Sequence, residues 1–389
     1  MLSIKFILFG LIVFFPILIF RSPFLKISII IYAYPVWLLY GYSIGIQTTR
    51  VVYNIGLQYY SEYFYIGFLY SLLSYLFFIL VLLPIRKKEF YFFKLPFGSG
   101  FHVLIVFFTL IFLPIAYPSA YFLGDSRFGS LGGVLIVLLS LSICSVKGKN
   151  NLLIYFVLFV CIFSIIRGER VDFILCLLAI YFLHSNKHVN IFKIGFSCVL
   201  LLILGLFSIA KRSGWDITIS SFLDLIIINI TQFGTAVDVI HVYMSSIWYY
   251  NEIGFTILPL FNYVFSFIPI KTGFGGASSD INFVAITRQY IPNLGGGMFY
   301  IPFIIAIGSF GAVLSGLFYG FLTRFLFTRK GIWSFIFIPF FIMQFRIQWY
   351  GFNYFGTVCI LSIFIVIYIN RLKLLGYMRK GKEKNHKNV

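Results

Sequence analysis

Apolar runs as long as a bilayer is thick follow one another along almost the whole chain, and they constrain the fold more than any single residue does. Phe64 to Ile85 and Phe101 to Phe122 each pass without one Asp, Glu, Lys or Arg. A helix rises about 1.5 Å per residue, so about 20 such residues cross the roughly 30 Å of hydrocarbon in a membrane. In water these helices would expose apolar surface on every side. With 61% hydrophobic and 11% charged residues there is too little polar surface to cover them. An outer-membrane barrel needs alternating segments of about ten residues, which these unbroken runs are not. The expected fold is all-α, a polytopic integral membrane protein.

The sequence predicts about eleven spans. They are Ile4 to Phe20, Ile27 to Ile46, Phe64 to Ile85, Phe101 to Phe122, Leu131 to Val146, Leu152 to Ile166, Val171 to Leu183, Ile194 to Ala210, Phe299 to Leu322, Ile332 to Phe345 and Phe352 to Ile369. Residues 1–210 thus form an N-terminal membrane bundle, 211–298 a long external loop, 299–370 the C-terminal membrane helices and 371–389 a basic tail. The first run is read as a helix because RSPF, which follows it, offers a signal peptidase no small-residue site. Cys144, Cys161, Cys176, Cys198 and Cys359 all fall inside apolar runs, which suggests neither a disulfide framework nor a metal site.

A net charge of +19 raises nucleic acid as a partner, and the distribution of the charge removes it. If the run Arg86, Lys87, Lys88 and Lys94 is cytoplasmic, the connections alternate consistently to the C-terminus. Twenty of the 30 basic residues then lie inside and nine of the 11 acidic residues outside. This is the positive-inside bias of a membrane protein with a cytoplasmic tail, set against anionic lipid headgroups. It puts the long loop on the outer side of the membrane and leaves no nucleic-acid partner.

The polar chemistry gathers on that outer side. Arg167 and Arg170 flank the corner RGER, Lys211 and Arg212 open the long loop, and Lys271 and Arg288 lie within it. Basic groups at the end of a helical bundle are costly unless paired or used, and the guanidinium fork fits phosphate oxygens. The alternative for Arg167 is a structural pair with Glu169 or Asp172. Gly273, Gly275 and Gly276 leave backbone N–H groups open to a ligand or simply make a turn. Asp280 suits a general base within reach of a hydroxyl, or equally a cap for the helix starting near Asn282. Trp248, Tyr249 and Tyr290 belong to an interfacial aromatic belt that also suits sugar stacking. Within the loop, Ala236 to Tyr250 is expected to lie as a helix in the interface, and Gly254 to Ile270 to be interfacial or re-entrant. His241 has no second histidine or cysteine nearby, so no metal site is expected.

The corner IIRGERVDF, the KR opening the loop, GFTILPLFNYVFSFIPIK, GGASSDINFVA and GGGMFYIPFIIAIGSFGAVLSGLFYGF together resemble the O-antigen polymerases, the oligosaccharide repeat-unit polymerases of bacterial surface polysaccharides. These in turn resemble C-type glycosyltransferases, which use lipid-linked donors without a metal. The resemblance implies an enzyme acting on undecaprenyl-diphosphate-linked oligosaccharides, with no cofactor. The growing chain leaves its carrier and joins the non-reducing end of a new unit. Arg167, Arg170, Lys211, Arg212, Lys271 and Arg288 would hold the diphosphate, with Arg167, Arg170 and Asp280 in the catalytic set. Trp248, Tyr249 and Tyr290 would bind sugar, and a flippase and a chain-length regulator would be partners. Where the family often has arginine after the proline of its loop, Pro269 here is followed by Ile270 and Lys271.

Two other functions share this pattern. An O-antigen ligase would transfer polymer to lipid A core and would draw on His241 together with arginines. A lipid-linked oligosaccharide flippase or other transporter would carry charges in mid-span and often two related halves.

Overall fold

The computed structural model describes residues 4–45, 51–52, 55–90, 99–116, 237–261, 283–292, 297–329 and 337–350, with isolated positions between them. They form α1 (Ile4–Phe14), α2 (Pro16–Ile19), α3 (Pro23–Ser43), α4 (Ser61–Leu82), α5 (Ser99–Ala116), α6 (Val237–Glu252), α7 (Phe283–Arg288), α8 (Ile301–Thr328) and α9 (Phe337–Tyr350). Among the described residues the only strands are β1 (Val51–Val52) and β2 (Ile55–Gly56), a short antiparallel pair. The architecture is helical, and Pro23–Ser43, Ser61–Ile85 and Ile301–Thr328 are long and apolar enough to cross a membrane. The expected runs from Leu131 to Ala210 and from Phe352 to Ile369 lie outside the described residues except at isolated positions.

The two faces of α4 show which solvent the fold is built for. Tyr65, Leu69, Leu76 and Leu80 form one exposed stripe, while Phe64, Gly67, Ser71, Ser74, Phe78 and Val81 face inward. Both stripes follow the three-to-four-residue spacing of a helix face. The hydroxyls are inside and the leucines outside, the reverse of a helix in water and the arrangement lipid favours. The same holds for α8, where Phe310, Phe318, Phe321 and Phe325 are exposed and Ser315, Gly316, Gly320 and Thr323 are buried.

Lipid tails are as apolar as these side chains, so helix association rests on close packing and on hydrogen bonds between helices. Gly316 and Gly320 of α8 supply the packing. A Cβ at Gly316 would overlap the Ser74 carbonyl, and one at Gly320 would press on Val81 and the Phe78 carbonyl. Hydroxyls supply the bonds. Tyr32 of α3 meets the Ser74 oxygen at 2.6 Å, Ser74 meets Ser315 at 2.7 Å, and Ser315 donates to the Ala312 carbonyl at 2.7 Å. Three protons serve three bonds in one direction, so this chain across α3, α4 and α8 is complete. Tyr32 also stacks on Phe78 with ring centroids 4.4 Å apart.

At one end of the bundle Arg21 pairs with Glu89 at 2.7 Å, and the Arg21 amide donates to the Arg86 carbonyl. Phe24, Phe90, Phe327 and Phe337 pack there as well. The connections expected to share a basic face therefore do meet: that after α2, that after α4 and that after α8. At the opposite end stand Tyr59, Tyr60, Tyr63 and the C-terminal half of α6.

The run Phe299 to Leu322, expected to be one crossing, is broken. Ile307 and Gly308 leave helical geometry, with Gly308 at φ 59° and ψ −131°. A Cβ at Gly311 would overlap the Phe303 carbonyl, the Phe303 ring lies 5.9 Å from Phe318, and Phe299 lies 4.7 Å from Tyr319. The segment before Gly308 thus folds back antiparallel along the helix after it. As a result Tyr300 reaches Ser71 and Phe299 reaches Tyr32. Ser71 and Ser74 lie about 15 and 20 Å along α4 from its first residue. The end of the long loop accordingly sits inside the bundle rather than at its surface, and the continuous crossing of α8 begins only at Ser309.

Candidate functional site

The aromatic end of the bundle is organised by α6, which lies across the first turns of α4. Tyr60 packs edge-on against His241, and the Tyr243 hydroxyl donates to the Gly67 carbonyl at 2.8 Å. Met244 and Ile247 occupy the space a Gly67 side chain would fill, and the Tyr63 hydroxyl donates to Glu252. Within α6, Val239 to Ile247 are buried in the protein, and among the residues whose burial is described the helix reaches the surface in its last turn. The cause is the absence of side chains at Gly67 and at Gly297, against which Val242 packs.

That last turn carries Trp248 and Tyr249, both half-buried, and α7 brings Tyr290 to them. The Tyr290 ring lies 6.2 Å from Trp248 and 5.6 Å from Tyr249, and Tyr290 is 50% exposed. Its position is fixed from both sides. The Thr287 hydroxyl donates to the Phe283 carbonyl at 2.9 Å, and the Tyr290 and Ile291 amides donate to the Thr287 carbonyl. Beyond the turn, His241 Nε2 donates to the Pro292 carbonyl at 3.0 Å. Arg288, two residues before Tyr290, is exposed at the C-terminal end of α7, where the helix carbonyls favour a cation.

Trp248, Tyr249 and Tyr290 therefore form one cluster, and exposed Arg288 lies two residues before Tyr290 in the chain. Aromatic rings of this kind offer an apolar face and a polar tip, suited to a ligand with C–H faces and hydroxyls. Burial first, and the neighbouring Tyr290 phenol second, hold the Tyr249 hydroxyl above its ordinary pKa, so it serves as a neutral hydrogen-bonding group. Arg167, Arg170, Lys211, Arg212, Lys271 and Asp280 lie outside the described residues. Among the described residues no three His, Cys, Asp or Glu side chains come together.

A second polar layer, in mid-bundle, escaped the sequence reading. Ser28, Tyr32, Ser71, Ser74, Ser315, Tyr300, Gln344 and Gln348 are all buried there. The signal was present in FIMQFRIQWY, whose Gln344, Arg346 and Gln348 interrupt an apolar run. Arg346 is only 9% exposed. No protein-family model, curated protein or solved structure matches the chain.

Proposed function

We propose that the chain is a polymerase of undecaprenyl-diphosphate-linked oligosaccharide repeat units, working at the outer face of a bacterial plasma membrane as a metal-independent glycosyltransferase. The observation that carries this reading is the cluster of Trp248, Tyr249 and half-exposed Tyr290, with exposed Arg288 two residues before Tyr290 in the chain, at the end of the bundle opposite Arg21 and Arg86. Aromatic rings suit the sugar of such a substrate, and an exposed guanidinium in the same segment suits its diphosphate. Arg167, Arg170, Lys211, Arg212 and Lys271 complete the leaving-group site in this reading, and neutralising the departing diphosphate is their contribution to rate. Asp280 takes the acceptor hydroxyl proton. A flippase supplies the units and a chain-length regulator acts beside the enzyme.

His241 bears on the ligase alternative. A ligase would need this imidazole at the substrate, whereas it is buried with Nε2 bound to the Pro292 carbonyl. That favours polymerisation over transfer to lipid A core.

The test is to substitute Arg288→Gln, Tyr290→Ala and, separately, Arg167→Gln with Arg170→Gln, and to display the surface polysaccharide by size. Loss of one charge-assisted contact of about 1.5 kcal/mol lowers polymerisation about tenfold, with single units still reaching the surface. Full-length ladders in all of these variants would overturn the assignment.

A further inference from the structure

α9 carries Gln344, Arg346 and Gln348 in an otherwise apolar helix, and they are 0%, 9% and 1% exposed. At about 3.6 residues per turn, Gln344 and Gln348 share one face and Arg346 points away from it. Several hydroxyls of the bundle are paired. Tyr32, Ser74 and Ser315 form the chain already described, Ser71 meets Tyr300, and Tyr300 donates to the Met298 sulfur. The two amides differ from these. Ser28 lies 2.8 Å from Gln344 Oε1 and 2.9 Å from the Phe24 carbonyl, but its hydroxyl has a single proton. Whichever way the Gln344 amide is turned, one of its ends has no partner. Gln348 has a partner for neither its Nε2 nor its Oε1.

Burying an amide without hydrogen bonds costs stability, and an apolar residue of the same size would avoid the cost. Two such groups on one helix face are explained by a ligand that supplies what they lack. We propose that Gln344 and Gln348 form a binding subsite for the hydroxyls of a neutral sugar in the lipid-linked substrate, an inference that rests on the polymerase reading above. A carboxamide offers one donor end and one acceptor end without charge, which matches a hydroxyl that both donates and accepts. A phosphate would instead be drawn to the guanidinium side of the helix. The face borders the end of the long loop, since the Phe299 amide donates to the Gln348 carbonyl at 3.3 Å.

The experiment uses the purified full-length protein with its host's undecaprenyl-diphosphate-linked repeat unit, and separately the free repeat-unit oligosaccharide as a thermal-shift probe. Gln348→Leu and Gln344→Leu should raise KM for the lipid-linked unit about tenfold, the equivalent of one hydrogen bond. Their Tm should equal or exceed that of the wild type, and the oligosaccharide should shift the wild type but not Gln348→Leu. An unchanged KM and an unchanged oligosaccharide shift in the variants would overturn the subsite, whatever their Tm. If the leucine variants do not fold, Gln348→Asn, which keeps the amide but draws it back, is held to the same outcomes. A wild type that does not polymerise but is shifted by oligosaccharide through Gln348 would retain the subsite and sink the polymerase reading. A wild type that does neither would sink both.

Discussion

Ser74 donates one proton and accepts another in the centre of the bundle, and its loss would be felt by residues on two other helices. Ser74→Ala removes the acceptor of the Tyr32 hydroxyl and the donor to Ser315 at once. A buried hydroxyl left unpaired costs about 1–3 kcal/mol. The variant should therefore melt several degrees below the wild type in detergent, whereas an unchanged Tm would mean that the chain contributes nothing. At this scale the sequence was legible where residue type and position agreed. Trp248, Tyr249 and Tyr290 stand at an apolar boundary, where amphipathic rings belong, and the fold brings them together. It was not legible for Ser71, Ser74 and Ser315, because a serine in an apolar run looks the same whether it meets a neighbouring hydroxyl or its own backbone.

Among elements, α8 explains most of the difference between expectation and structure. Its apolar character continues through the reversal at Ile307 and Gly308, so hydropathy alone cannot separate a straight crossing from a fold-back. Only the glycines hold the information, and they hold it through φ and through lack of volume. Gly308 adopts a conformation that only glycine takes readily, and a Cβ there would press on the Tyr250 ring and hydroxyl. Gly316 has the Ser74 carbonyl against it. Gly308→Ala should cost about 1–3 kcal/mol through the backbone, and Gly316→Val about as much through overpacking. The two are told apart by function. Gly308→Ala also displaces the Gly297–Tyr300 segment and should depress activity beyond its loss of stability, while Gly316→Val should lower both together. Equal ratios of activity to folded protein in the two variants would contradict the fold-back as a functional element. The helix α6 teaches the same lesson in reverse. Its apolar and aromatic pattern fits a surface helix, and it is buried because two distant glycines, Gly67 and Gly297, make room for it.

Over the whole molecule, the helical, apolar character was the most legible property. Residues as distant in sequence as Arg21 and Arg86 meet at one end, and the aromatic cluster with Arg288 occupies the other. The glutamines of the mid-bundle layer left a signal in FIMQFRIQWY, whereas the serine and tyrosine hydroxyls that pair there depend on packing that no linear pattern encodes. The proposed polymerase would draw on both the aromatic end and this layer. The most direct measurement is the size distribution of surface polysaccharide from cells lacking the protein. A repeat-unit polymerase predicts single repeat units on the cell surface and no ladder, restored by the wild-type chain. A ladder of normal length in those cells, or loss of the single unit as well, would contradict it.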